Sequence, residues 1–142
     1  MRRAAADGIF VWEIRLSDMR EVKFRGFNRK NGVWLYGFYL QNRGAHFVCP
    51  DEFADGKTWD DYEIDPETRG EYTGQKDKNG QEIYEGDIIY DHYSNNRFRV
   101  YFTSASFDVE GILEAEYRSL SDVANDSEVI GNIHDNPELL KE

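Results

Sequence analysis

The sequence is poor in cysteine, proline and histidine, with one, three and three of them among 142 residues. The single cysteine, Cys49, excludes an intramolecular disulfide and favours a reducing compartment. No apolar run approaches the roughly 18 residues that a membrane-spanning helix needs, and 32% of the residues are charged. We therefore expect one soluble domain that makes no membrane contact, since 142 residues suffice for a single core.

Motifs that carry chemistry are also missing. The chain has no glycine-rich phosphate loop, no nucleophile elbow and no zinc-ligand spacing. His46 and Cys49 are three residues apart on a short predicted strand, so they should project to opposite faces. Scattered carboxylates such as Glu82 and Asp87 are too common in an acidic chain to indicate an acid and base pair. We predict a protein that is not an enzyme, with no catalytic residue, no cofactor and no metal.

Residues 77–80 superficially resemble a calcium loop, but their glycine comes two places too early for an EF-hand. Asn79 and Gly80 tolerate the positive φ that a tight reversal requires. We interpret this segment as a hairpin turn between two short strands, followed by a second break at residues 85–87. Asp77 is then expected to belong to a turn and not to a metal site.

The net charge of −11 is distributed unevenly. Residues 19–50 hold six Lys or Arg against one acid, whereas residues 51–67 hold eight acids against Lys57. We expect the basic N-terminal hairpin to lie across the acidic segments and to be neutralised by them. The alternative is a nucleic-acid surface, which the acidic total disfavours.

Short alternating runs separated by turn signals predict a mainly β protein. Gly37 interrupts an apolar run as a bulge or a point of close backbone approach, and residues 51–62 form a surface loop anchored by Phe53 and Trp59. The architecture is a small curved sheet or partly open barrel of antiparallel strands with a short C-terminal helical turn. Strands are predicted at residues 21–27, 33–40, 45–49, 88–92, 97–102 and 128–134.

Residues 1–18 differ in pattern from the rest of the chain. We interpret them as an N-terminal extension, from an early start codon or from cloning, with Met19 as the native start. The alternative is an arm that docks Phe10 and Trp12 on the body. Residues 19–142 form one domain, with a hairpin part over about 19–70 and a barrel-like part over about 71–142.

Four segments carry a resemblance to a known family. They are MREVKFR from Met19, DPET from Asp65, YTGQKDKNG with IYEGDI from Tyr72, and VIGNIHDNPELL from Val129. Together they resemble the YopX family of phage and prophage proteins over residues 19–140. The resemblance implies a small protein of a mobile element in the cytoplasm of a bacterial host cell, with a β-rich C-terminal part and oligomer formation. It implies no catalytic or binding residues.

Aromatic residues make up 15% of the chain and are its main surplus. If one face of their strands is left exposed, it serves either self-association or stacking of single-stranded nucleic acid. We expect an accessory phage or prophage protein that acts through contacts with itself or with a host or phage protein. Single-stranded nucleic-acid binding by the basic hairpin, and acidic mimicry of nucleic acid toward a host protein, are the alternatives. The candidate interaction surface comprises Lys23, Arg25, Trp34, Tyr36, Tyr90 and Tyr101.

Overall fold

In the computed structural model, the described residues are 21–142, together with the backbone of two short N-terminal strands, β1 (Arg2–Ala4) and β2 (Phe10–Trp12). These two strands pair antiparallel. The predictions about residues 1–18 and about Met19 as the start fall outside the residues whose side chains are described.

The first large sheet is built from residues 24–84 and has the strand order β5-β4-β3-β6-β7. All of its neighbouring strands are antiparallel. The β3–β4 and β4–β5 hairpins are local, whereas β6 returns to pair with β3 after an excursion that contains two 3-10 turns. The strands are β3 (Phe24–Asn28), β4 (Val33–Asn42), β5 (Ala45–Cys49), β6 (Gly70–Lys76) and β7 (Glu82–Tyr84).

The second large sheet comes directly after the first in the chain, and its order is β11-β10-β9-β8-β12, again antiparallel. A four-residue helix, α1 (Leu120–Val123), leads into β12, and a 3-10 turn at Pro137–Leu140 ends the fold. The strands are β8 (Asp87–Asp91), β9 (Asn96–Phe102), β10 (Phe107–Gly111), β11 (Tyr117–Ser119) and β12 (Ser127–Asn132).

The predicted mainly β fold with a C-terminal helical turn is confirmed. The two five-stranded sheets of the described residues are not closed into a barrel. The boundary between these sheets falls after Tyr84, since β6 and β7 pair with the first sheet. Within the described residues, no helix has the length and apolarity to cross a bilayer.

The main core lies on one face of the second sheet and extends to the first. Ile83 of β7 belongs to the same apolar cluster as α1, so the end of the first sheet packs into the core of the second. Burial of these side chains is the largest stabilising contribution to such a fold. The cluster comprises Ile83, Ile89, Phe98, Val100, Phe107, Val109, Leu120, Val123 and Ala124.

A smaller core fixes the long excursion between β5 and β6. Phe47, Cys49 and Tyr62 are buried together, with Leu35 and Leu40 packed against them. Residues 62–64 continue the edge of the sheet, because Val48 and Ile64 donate backbone hydrogen bonds across this boundary. The outer edge of β5 is therefore covered by the chain itself, which protects it from edge-to-edge pairing.

Candidate functional site

A buried ion pair joins the two sheets. The Nη1 atom of Arg25, on β3, lies 2.7 Å from Oδ1 of Asp87, at the start of β8. Arg25 is 5% exposed and Asp87 is 1% exposed. The guanidinium also lies over the rings of Trp34 and Tyr84, at 5.0 and 5.1 Å from their centroids. Arg25 is therefore an internal cross-link.

Two glycines lie beside this arginine. Gly70 is the cross-strand neighbour of Arg25 on β6, and a Cβ atom at Gly86 would lie 3.7 Å from Nη2 of Arg25. The carboxylate of Asp87 accepts a 2.7 Å hydrogen bond from the amide of Tyr84. Burial raises the pKa of Asp87, although Arg25 and this amide act in the opposite direction.

Two of the motifs found in the sequence meet at this junction. The Ile133 amide donates to the carbonyl of Gly86 at 2.9 Å, which joins the IYEGDI segment to the VIGNIHDNPELL segment. The indole of Trp34 donates a 2.8 Å hydrogen bond to Asp135, and its ring centroid lies 6.0 Å from that of His134. No local pattern in the sequence signals the bond between Trp34 and Asp135, because the two residues are 101 positions apart.

A small groove of about 140 Å³ opens beside the junction. It combines cationic and anionic side chains, so its charge favours neither anions nor cations. The pKa of His134 is lowered by partial burial and by the positive charge of Arg25. The polar side chains of the groove are Glu67, Arg69, Glu85, Arg99, Tyr101 and His134.

The predicted turn at residues 77–80 is confirmed, and Gly80 has the positive φ of 83° that the turn requires. Oδ1 of Asp77 accepts hydrogen bonds from the amides of Asn79 and Gln81, and Oδ2 accepts one from Val129 on β12. Both oxygens therefore serve the backbone. Among the described residues, no group of three or more His, Cys, Asp or Glu side chains could hold a metal ion.

The histidines and the cysteine lie apart from one another. Cys49 is fully buried, and burial raises the pKa of its thiol. His46 is hydrogen-bonded to the hydroxyl of Tyr39. His92 and His134 follow opposite ends of the antiparallel β8–β12 pair, and His92 lies 3.2 Å from Glu128. Cys49 is therefore buried and has a raised pKa, whereas a nucleophilic cysteine is partly exposed and has a lowered one.

The prediction that acidic segments neutralise the basic hairpin is confirmed for Arg25, as described above, and for three further cations. Lys23 pairs with Glu82 and Glu21, and Arg29 pairs with Asp65. Lys30 lies 3.0 Å from Asp60 and 2.9 Å from Asp61. Hydrogen bonds from Thr58, and to a lesser extent from Lys30, hold the pKa values of Asp60 and Asp61 below their usual range, and the hydrogen bond from Arg29 does the same for Asp65. A cleft of about 520 Å³ between residues 28–30 and 60–66 is lined by several of these paired charges.

Two aromatic side chains of β4 are exposed to solvent. Tyr36 and Phe38, which we call the β4 aromatic patch, are 51% and 45% exposed. Tyr36 packs edge-on against Tyr84 with ring centroids 5.4 Å apart. Because β4 is bordered by β3 and β5, its side chains and not its backbone groups are available for contact.

The six residues of the predicted interaction surface do not form one surface. Lys23, Arg25, Trp34 and Tyr36 belong to the first sheet, where Arg25 is buried and Trp34 is half-buried. Tyr90 and Tyr101 lie on the second sheet. The hydroxyl of Tyr90 donates to Asn95 at 3.0 Å, and the guanidinium of Arg99 lies over the Tyr101 ring at 5.2 Å.

Comparisons with known proteins agree with the likeness found in the sequence. A family model described as YopX protein matches residues 23–141. The chain is also similar to protein EF1440 from Enterococcus faecalis, whose crystal structure superposes with a TM-score of 0.55 at 28% sequence identity. That likeness covers 87% of this chain and 100% of the other. No curated protein matches the sequence.

Proposed function

The chain belongs to the YopX family, and from this membership we propose that it is a non-enzymatic accessory protein of a phage or prophage that acts through protein contacts, including contacts with its own copies. The observation that carries the proposal is the β4 aromatic patch. Two large rings on one regular strand are about half exposed, and contiguous exposed apolar surface commonly marks a protein interface.

The non-enzymatic part is supported by how the buried carboxylates are used. Asp77, Asp87 and Asp91 are each at least 94% buried. Each accepts hydrogen bonds from nearby backbone amides, and Asp87 also pairs with Arg25. These buried carboxylates stabilise turns and a buried cation, whereas a catalytic acid or base must be accessible to a substrate.

Single-stranded nucleic-acid binding has weaker support. Lys23, Arg25, Arg29 and Lys30 supply most of the charge of the basic hairpin, and each of them is paired with a carboxylate. A phosphate backbone would have to displace those carboxylates, and it would approach a chain of net charge −11.

Light scattering coupled to size exclusion tests self-association. We expect the wild-type protein to form a dimer or larger oligomer at micromolar concentration, and the Y36S/F38S variant to be monomeric, because the substitution removes the apolar rings from the contact. Y93S is the matched control, since Tyr93 is 84% exposed in a turn of the other sheet, and this variant should keep the wild-type mass. A wild-type protein that is monomeric at high concentration would contradict the proposal.

A further inference from the structure

Residues 51–61, which we call the acidic loop, are exposed from 51 to 60, whereas Asp61 is half-buried, and the loop is held in a defined shape. Phe53 packs against Tyr62 with ring centroids 4.4 Å apart and against Trp59 at 5.0 Å. Trp59 in turn packs edge-on against Phe47 of β5 at 5.4 Å. The amide of Ala54 donates to the hydroxyl of Tyr62 at 3.3 Å. The smaller core therefore fixes the position of the loop.

The same two rings face solvent on their other side. Phe53 is 42% exposed and Trp59 is 52% exposed. Aromatic residues, tryptophan above all, are the side chains that contribute most at protein interfaces. Because the loop is already ordered by its packing on Phe47 and Tyr62, binding of a partner would cause little further loss of conformational entropy in the loop.

The charges around these rings identify the partner's chemistry. Asp60 and Asp61 both form ion pairs with Lys30. Asp51, Glu52 and Asp55 are exposed and have no ion pair within the described part of the chain. Lys57 is the one cation in the loop's sequence. The surface thus presents two aromatic rings beside three carboxylates without cationic partners.

We propose that the acidic loop is a docking site for a lysine- and arginine-rich segment of a partner protein. Long cationic side chains fit such a surface, because their stems pack on aromatic rings, their charged ends attract the ring faces and carboxylates pair with them. A second copy of this chain is a poorer occupant, since four cations of its basic hairpin are already paired. This inference names the partner for the protein-contact function proposed above and to that extent rests on it.

The test is fluorescence anisotropy with a labelled synthetic peptide rich in lysine and arginine, compared with the same peptide carrying glutamate at the basic positions. We expect the basic peptide to bind wild-type protein at low salt, to bind less tightly as salt rises, and the glutamate peptide not to bind. The D51N/E52Q/D55N variant should weaken binding about tenfold. W59A should weaken it by a similar factor, with the melting temperature measured to show that this variant is folded.

The matched control is E114Q/D122N/E142Q, which removes the same charge from exposed acids elsewhere on the chain. It should change affinity by less than about threefold, because distant exposed charges are screened. Equal weakening by the two triple variants would overturn the docking site in favour of attraction by net charge alone. Absence of binding by the wild-type protein would overturn it directly. A change in oligomeric mass for the D51N/E52Q/D55N variant, with peptide binding intact, would overturn it in favour of a second copy.

The two proposals fail separately. Peptide binding by a wild-type protein that proves monomeric supports the docking site and contradicts self-association through the β4 aromatic patch. A protein that self-associates but does not bind the basic peptide overturns the docking site alone.

Discussion

The guanidinium of Arg25 forms an ion pair with Asp87 and lies over the rings of Trp34 and Tyr84. It also donates a 3.5 Å hydrogen bond to the carbonyl of Glu85. Its Nε atom is buried and has no hydrogen-bond partner among the described residues. Such an atom loses about 1 to 3 kcal/mol of solvation that is not recovered, and transferring both charges from water costs several kcal/mol more. The pair therefore adds little net stability. Its effect is to fix the position of β3 relative to β8 across the two sheets, since either charge alone would be uncompensated.

Removing one partner of this ion pair should be costly. We expect Asp87→Ala to lower the free energy of unfolding by about 3 to 5 kcal/mol, because Arg25 is left as a buried charge without its counter-ion. The Tyr84 amide loses its acceptor as well. Urea denaturation followed by tryptophan fluorescence measures the change.

The double variant R25M/D87L is the control, because replacing both charges with apolar side chains removes the uncompensated charge. It should be more stable than Asp87→Ala. A loss below about 1 kcal/mol for the single variant would show that the pair is hydrated in solution.

His134 should make the stability depend on pH. Its pKa is lowered from 6.5 by partial burial and by Arg25, so the folded protein favours the neutral imidazole more than the unfolded chain does. This contribution is fully present above the unfolded pKa and is lost as pH falls through the lower folded pKa. We expect His134→Gln to lose less stability than wild type between about pH 7 and pH 5.

Thermal melts of both proteins across that range measure the effect. The difference between them isolates His134 from Asp87, whose raised pKa acts in the opposite direction: its contribution is present below its unfolded pKa and lost as pH rises through the folded pKa. Parallel pH profiles for the two proteins would rule out the imidazole as the titrating group.

At the scale of single elements, Gly37 in the middle of β4 allows the β4–β5 hairpin to close. A Cβ atom at this position would lie 1.9 Å from the carbonyl oxygen of Cys49 on the neighbouring strand. That oxygen belongs to the backbone and cannot move without separating the strands. The sequence prediction of a close approach at Gly37 is confirmed.

Gly37→Ala should therefore destabilise the protein by at least about 1 to 3 kcal/mol, the usual cost of overpacking. Gly32→Asn is the matched control in the adjacent turn. Gly32 has a φ of 67° and open space around its Cα, and asparagine tolerates this conformation, so its loss should stay below about 1 kcal/mol. Chemical denaturation of both variants checks the prediction, which fails if the two losses are equal.

Local patterns predicted the elements well where the signal was itself local. Alternation in 97–102 correctly indicated β9, with Phe98 and Val100 fully buried, although Phe102 at the end of the strand is 48% exposed. In the turn at residues 77–80 only Gly80 has positive φ, whereas Arg43 and Asn95 adopt it elsewhere. The sequence does not predict the positive φ of Arg43, because this conformation is imposed by the tight turn that the pairing register of β4 and β5 requires.

For the whole molecule, the sequence could predict strands but not how they divide between sheets. The pairing of β3 with β6 joins residues more than 40 positions apart, and no periodicity encodes that partner. The burial of Arg25 in the junction between the sheets could not be predicted from the sequence either. A charged residue in an alternating strand predicts a solvent-facing position, and its burial became apparent only when Asp87, Trp34 and Tyr84 were placed around it.

The two sheets are also consecutive in the chain, and this order has a consequence for synthesis on the ribosome. Strands β3 to β7 are all translated before Asp87, and Asp87 follows the last residue of β7 by only three positions, so the counter-ion of Arg25 leaves the exit tunnel almost together with the last strand of the first sheet. The ion pair between Arg25 and Asp87 can therefore form as soon as the first sheet is complete and before the rest of the second sheet is made. The hydrogen bond from Trp34 to Asp135 forms later still, because Asp135 is translated after every strand of the second sheet. The contacts between the two sheets are therefore complete only after both sheets have been synthesised.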